Sequence, residues 1–237
     1  MTGPSITFEN VVFRRSGFTL SLNMAIECGM TALMGASGSG KSTVLDLLAG
    51  FEAPQEGRIL VGGQDVTGLV PHERPVSLVF QDNNLFAQLD ARANVGLGIS
   101  PRLRLSPADE ARVAAALAET GLKGKEGRRP SEMSGGERQR TALARALVRD
   151  RKVLLLDEPF AALGPAMRQD MGELVRELAA RHGMTIVLVT HDPAEALRLA
   201  DQVVFLQDGK LAAQGPADRI LRQNDGPVGD YLGERRG

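Results

Sequence analysis

The hydrophobic positions of this 237-residue chain fall into two periods. Short apolar runs occur at Ser5–Phe8, Thr31–Met34, Val76–Phe80, Val153–Asp157, Thr185–Thr190 and Val203–Gln207. From Thr31 onward these runs lack clean alternation, which predicts strands buried on both faces, as in a parallel sheet covered by helices. Helical spacing follows several of them, at Lys41–Leu48, Ala166–Arg181 and Pro193–Leu199. Strands alternating with helices predict an α/β layer fold.

The pattern changes between Gln81 and Arg151, where no strand is expected. Residues 106–122 predict a helix with Ser106 as N-cap, Pro107 at its first position and Gly121 as its stop. The interval reads as a helical insertion within a sheet domain. The tail after Gly209 reads as short and polar.

Composition narrows the class. Hydrophobic content of 43% and charged content of 24% are ordinary for a soluble globular protein. A formal net charge of −1 provides no global basic surface, so nucleic acid is not expected as a partner. The basic clusters Arg102/Arg104 and Lys123/Lys125/Arg128/Arg129 read as solvated loop charges. One cysteine, Cys28, excludes an intramolecular disulfide and suits a reducing compartment. The N-terminal residues lack the charged-then-apolar order of a signal peptide, and no run approaches the roughly 18 apolar residues of a membrane span. A cytoplasmic location is expected, with any membrane role acting through a partner.

Four motifs bring in chemistry. GASGSGKST (35–43) follows a strand pattern and precedes a helical one, the context in which Gly-x-x-x-x-Gly-Lys-Ser/Thr binds phosphate. The glycines Gly35, Gly38 and Gly40 let backbone N–H groups converge on phosphate oxygens, and the helix that follows adds its positive dipole end. Lys41 reaches the β- and γ-phosphates, while the Ser42 hydroxyl suits Mg²⁺. VLLLDEPF (153–160) ends an apolar run in two carboxylates, costly there unless a cation or hydrogen bonds meet them. Asp157 would help hold the magnesium and Glu158 would polarise a water; the bland alternative is a strand ending at a solvated turn. MSGGERQR (133–140) sets Ser134, Gly135 and Gly136 before an amphipathic helix, which is either a plain cap or a second anion site. His191 and Gln81 each end an apolar strand, at the edge where open α/β sheets collect ligands.

In this order and spacing the motifs resemble the ATP-binding subunits of ABC transporters, over essentially the whole chain. The loop Gly35, Ala36, Ser37, Gly38, Ser39, Gly40, Lys41, Ser42, Thr43 matches the Walker A motif, Gln81 the Q-loop, and Ser134, Gly135, Gly136, Glu137 the signature. Asp157 and Glu158 match Walker B and His191 the switch histidine. The resemblance implies a P-loop NTPase fold with a mostly parallel central sheet and a small antiparallel β region near the N-terminus. It divides one ATP-binding domain, 1–237, into a core of 1–81 and 152–237 and a helical subdomain of 82–151. It also implies ATP and Mg²⁺ as cofactors, with Ser42, Gln81 and Asp157 at the metal. Two copies would pair head to tail, so that the signature of each closes the Walker A site of the other. The implied partners are a second copy, an integral membrane permease and, indirectly, a periplasmic solute-binding protein, at the cytoplasmic face of a bacterial inner membrane. The aromatic that stacks on adenine falls on Phe13, with Phe18 a second aromatic nearby.

Two positions depart from the family pattern. Glu137 stands where glutamine is usual, and Gly164 stands where an aspartate normally reaches across the dimer. Within the family, residues 74–105 and 47–57 are similar to the ATPases of thiamine importers, which implies thiamine, and its phosphates, as cargo, with another small solute such as iron, sulfate or a polyamine as the alternative. Lys41→Ala is expected to lower ATP turnover by about a hundredfold or more, the scale of losing one preorganised charge-stabilising group. Phosphate release at near-normal rates would reject the role of Lys41.

Overall fold

The computed structural model describes residues 3–223 and 225–236. Alternate residues of one strand, Val153–Asp157, face two different layers. Val153 and Leu155 pack with the helix Lys41–Ala49, and Leu154 and Leu156 pack with the helix Pro165–His182. That double burial is why the run has no polar alternation.

Ten strands form one sheet: β1 (Ile6–Arg15), β2 (Phe18–Ile26), β3 (Met30–Gly35), β4 (Glu56–Val61), β5 (Gln64–Asp65), β6 (Val76–Val79), β7 (Val153–Asp157), β8 (Thr185–Val189), β9 (Gln202–Gln207) and β10 (Lys210–Pro216). Their spatial order is β5-β4-β1-β2-β10-β9-β3-β8-β7-β6. The β9-β3-β8-β7-β6 stretch is parallel throughout, whereas β1 pairs antiparallel with β2 and β4, and β10 antiparallel with β9. The helices are α1 (Lys41–Ala49), α2 (Ala91–Gly96), α3 (Pro107–Glu119), α4 (Gly135–Leu147), α5 (Pro165–His182), α6 (Pro193–Leu199), α7 (Ala217–Ile220) and α8 (Gly226–Arg236).

The mixed α/β sheet is the expected class, and each of the six apolar runs falls on a strand. The tail differs from expectation, since residues after Gly209 form β10, α7 and α8. Its signal was the Asp208-Gly209 pair, which takes positive φ at both residues (49° and 73°) and turns β9 back on itself as a hairpin. Among the described residues, no strand lies between Val79 and Val153. There α2, α3 and α4 enclose a separate apolar cluster that includes Val95, Val113, Leu117, Leu122 and Val148.

Helix starts follow local chemistry. Ser106 and Ser134 cap α3 and α4, each completing a reciprocal capping box with Asp109 and Glu137. Helix α5 begins differently. Gly164 is its N-cap, no side chain caps it, and its first turn holds no acidic residue. A Cβ added at Gly164 meets nothing within 4 Å. Gly164→Asp is therefore expected to stabilise the chain by about 0.5 kcal/mol through a cap and the helix dipole. In a melting experiment that is a rise in Tm of about 1–2 °C; an unchanged or lower Tm would show that the aspartate finds no cap geometry here.

Candidate functional site

The parallel register brings the chemical motifs to one edge. Leu33 of β3 pairs with Val189 of β8, and Asp157 of β7 pairs with the same Val189. The residues that follow these positions, Gly35 onward, Glu158 and His191, are thus carried to neighbouring places. They line an open cavity of about 640 Å³ together with Phe18, Ser37, Gly38, Gly40, Lys41, Ser42, Thr43 and Asp157.

The loop before α1 is shaped by glycine at two places. Gly35 has φ 144°, and a side chain there would run into the Leu206 carbonyl and the Ser39 hydroxyl. Gly40 is the N-cap of α1 at φ 106°, where no side chain caps the helix and a Cβ would lie 2.8 Å from Leu20 Cδ1. The first N–H groups of α1 are left for an anion. Lys41 Nζ donates to the carbonyls of Gly35 (2.9 Å) and Ala36 (2.8 Å), which holds the ammonium over the loop. Ala36 and Ser39 turn away from this cavity and line a groove on the far side of the loop. The buried Ser39 hydroxyl meets no partner among the described residues.

Opposite the loop stand the carboxylates. Burial, then Glu158 and Asp46, push the Asp157 carboxyl above its ordinary value, and Lys41 pulls it the other way. A cation beside Asp157 would relieve that strain. The donors on this edge, the Asp157 carboxylate and the Ser42 hydroxyl, are oxygens, as a small hard ion such as Mg²⁺ requires. Among the described residues no cluster of three or more His, Cys, Asp or Glu side chains forms a metal cage.

Glu158 has φ 42°, a conformation rare outside glycine, and its N–H donates to the Val189 carbonyl at 3.1 Å. Its Oε2 lies 2.9 Å from His191 Nδ1. Two further contacts steady the histidine segment. Tyr231 of α8 donates its hydroxyl to the His191 carbonyl at 3.3 Å, and Arg168 of α5 lies 3.3 Å from Asp192, which caps α6.

Not every expected residue joins. Phe13 does not reach the cavity: it is 4% exposed, within the core between β1, β2 and α1. An irregularity between Phe8 and Val11, where Asn10 takes φ 49°, keeps Phe13 on the inward face. The aromatic on the cavity wall is Phe18, which corrects the expectation for Phe13. No spacing rule could separate the two, because both lie in apolar alternation before the loop. Gln81 is exposed in a turn beyond β6 and does not line the cavity. Ser134, Gly135, Gly136 and Glu137 form the first turn of α4, and none lines it either. In a single chain the two phosphate-seeking loops are apart.

This arrangement can be set beside known proteins. A family model described as ABC transporter matches residues 20–161. The chain belongs to the ABC transporter family. Thiamine import ATP-binding protein ThiQ of Mesorhizobium japonicum is 56% identical over 217 residues, covering 91% of this chain and 86% of that protein. The protein of the same name from Brucella suis is 52% identical over 233 residues, covering 98% of this chain and 97% of its own. Among solved structures, a bacterial Atm1-family ABC exporter with ATP bound superposes with a TM-score of 0.80 at 31% identity, over 100% of this chain and 43% of that longer one. The ADP conformation of an ATP-binding cassette from another ABC transporter gives 0.86 at 23% identity, over 98% of each chain, a likeness of fold.

Within this ABC cassette the Glu137 variation has a physical setting. Its carboxylate accepts from the Ser134 N–H at 2.8 Å and pairs with Lys125 (2.9 Å) and Arg128 (3.0 Å). The Ser134 N–H and the Lys125 ammonium hold its carboxyl down at about 2, against an ordinary 4.5. A depressed carboxylate stabilises the fold above its ordinary value, and that contribution fades as pH falls from about 4.5 through about 2. Glu137→Gln is expected to melt below wild type at neutral pH, with the gap closing across that acid window. A gap independent of pH would show that the two cations do not use the charge.

Proposed function

We propose that this ABC ATPase energises thiamine import through a membrane permease. Sequence kinship to proteins named for thiamine import supports the cargo, since no residue of the site would touch it. Support for the chemistry comes from the cavity that gathers Lys41, Asp157, Glu158 and His191 while the Ser134 turn faces elsewhere. A site built this way lacks half of its phosphate clamp until a second copy supplies it.

In this reading the N-terminal turn of α1 and Lys41 cradle the triphosphate, and Ser37, Gly38 and Thr43 line it. Phe18 stacks on adenine. Ser42 and Asp157, with Gln81 brought in from the end of β6, hold Mg²⁺, which supplies charge neutralisation on the phosphates when bound. Glu158 orients and deprotonates the attacking water. His191, held against Glu158 in the open chain, turns to the γ-phosphate. Ser134–Glu137 of each copy closes the other copy's site, so ATP binds the closed homodimer more tightly than the open pair. That differential affinity is what shifts the equilibrium.

The loop that begins at Gln81 faces the permease. Phe51, Val70 and Phe86 are about half exposed at 53%, 46% and 49%, and Phe51 packs its ring 6.2 Å from Phe80, one residue before Gln81. Apolar surface beside the Q-loop suits a membrane subunit's cytoplasmic segment. Among the described residues no helix is long and apolar enough to cross a membrane. The subunit works at the cytoplasmic face of a bacterial inner membrane, with a periplasmic binding protein delivering cargo to the permease.

The test is transport by the reconstituted assembly of this chain, its permease and its binding protein in proteoliposomes. ATP-driven uptake of labelled thiamine is expected, and active uptake of a different solute without thiamine would overturn the cargo. Glu158→Gln is expected to abolish uptake and, with ATP, to double the mass of the isolated chain in gel filtration. A monomer under those conditions counts against the shared site.

A further inference from the structure

A second, cationic cavity lies at the opposite end of the parallel strands. β6 and β7 finish at the nucleotide edge, so the segments that lead into them are about 16 Å away, the length of a five-residue strand. One of these segments holds His72 and the other Arg149 and Arg151. With Arg112 of α3 they form the polar lining of a cavity of about 360 Å³, whose apolar floor includes Leu97, Ile99 and Val148. The floor exists because Gly98 sits hard against the end of α4. A Cβ there would lie 2.6 Å from the Arg145 carbonyl oxygen and 2.7 Å from Val148 Cγ1.

The charges in this cavity are not neutralised from within. Among the described residues no carboxylate lines it. Arg112 donates to the Val148 carbonyl at 2.8 Å and Arg151 to the His72 carbonyl at 3.4 Å, neutral acceptors that leave the positive charge in place. Asp109 lies 3.4 Å from Arg112 on its own helix, and Asp150 turns to Lys152 at 3.5 Å. Arg149 makes no hydrogen bond or ion pair with any described residue. Arg149 is a solvent-exposed residue on the cavity wall, with Arg151 a second positive charge beside it. The carbonyl end of α4 offers about half a negative charge. With Asp109 paired to Arg112, the guanidinium groups of Arg149 and Arg151 are left in excess, and an anion would match them.

We propose that this cavity binds a phosphate-bearing anion, with the guanidinium forks of Arg149, Arg151 and Arg112 on its phosphoryl oxygens. Planar forks match phosphate geometry in two-point contacts. The volume lies within the roughly 300–1,000 Å³ of small-ligand sites. A free oligophosphate and an anionic phospholipid headgroup present the same chemistry to it.

The test uses the full chain carrying one equivalent of magnesium-free ADP, which fills the nucleotide cleft without excess nucleotide phosphate to compete at the second cavity. Calorimetric titration with inorganic pyrophosphate is expected to reveal one added site per chain, weakening as salt is raised. Sedimentation with phosphatidylglycerol vesicles, against phosphatidylcholine vesicles, reads the headgroup source. Binding in either arm supports the proposal and identifies the source. The R149Q/R151Q variant is expected to weaken that binding at least tenfold while ADP affinity and melting temperature stay unchanged. R149Q alone, which breaks no bond within the described fold, is expected to weaken it severalfold. Absence of binding in both arms, or binding that survives R149Q and R149Q/R151Q undiminished, overturns the proposal.

Discussion

Parallel pairing among β3, β8, β7 and β6 sets where every reactive group of this protein ends up. The Leu33–Val189 and Asp157–Val189 register carries three chain segments, the first more than a hundred residues from the other two in sequence, out of the sheet side by side. A slip of one residue in any of these strands would turn its side chains to the opposite layer. Leu155 would leave α1 and Leu154 would leave α5. The same apolar packing that sets the register therefore sets the distance from Lys41 to Glu158. Core and chemistry are here one constraint.

At that edge the protein maintains an unrelieved electrostatic state. Asp157 is buried beside Glu158, the first N–H groups of α1 are uncapped, and the Lys41 ammonium is satisfied by the loop's own carbonyls. The signature turn at Ser134 is instead closed on itself: its hydroxyl accepts from the Glu137 N–H at 3.2 Å, and Glu137 holds two cations.

The two departures from the family pattern fall on helix starts, which limits what they change. Gly164 removes a cap from α5 without filling or emptying any packed space. Arg168, one turn further along, joins α5 to Asp192 in the segment after His191. That link connects the α5 start to the histidine within one chain. Glu137 keeps the capping geometry that glutamine would also provide and adds charge that Lys125 and Arg128 neutralise.

What the sequence determined was the local part. Gly35 to Thr43, Asp157 with Glu158, and Ser134 to Glu137 are recognisable because each motif's chemistry lies within one turn, where residue type and spacing suffice. Unbroken runs such as VLLLD announced strands buried on both faces for the same reason. Tertiary structure alone decided which aromatic lines the cavity. Phe13 and Phe18 differ only through a β1 irregularity that no apolar period reveals. It decided that α8 reaches back to the His191 carbonyl, a contact across forty residues. It also decided that His72, Arg112, Arg149 and Arg151 share one cavity. Those residues come from three separate segments. No spacing rule links them, and only packing brought them together.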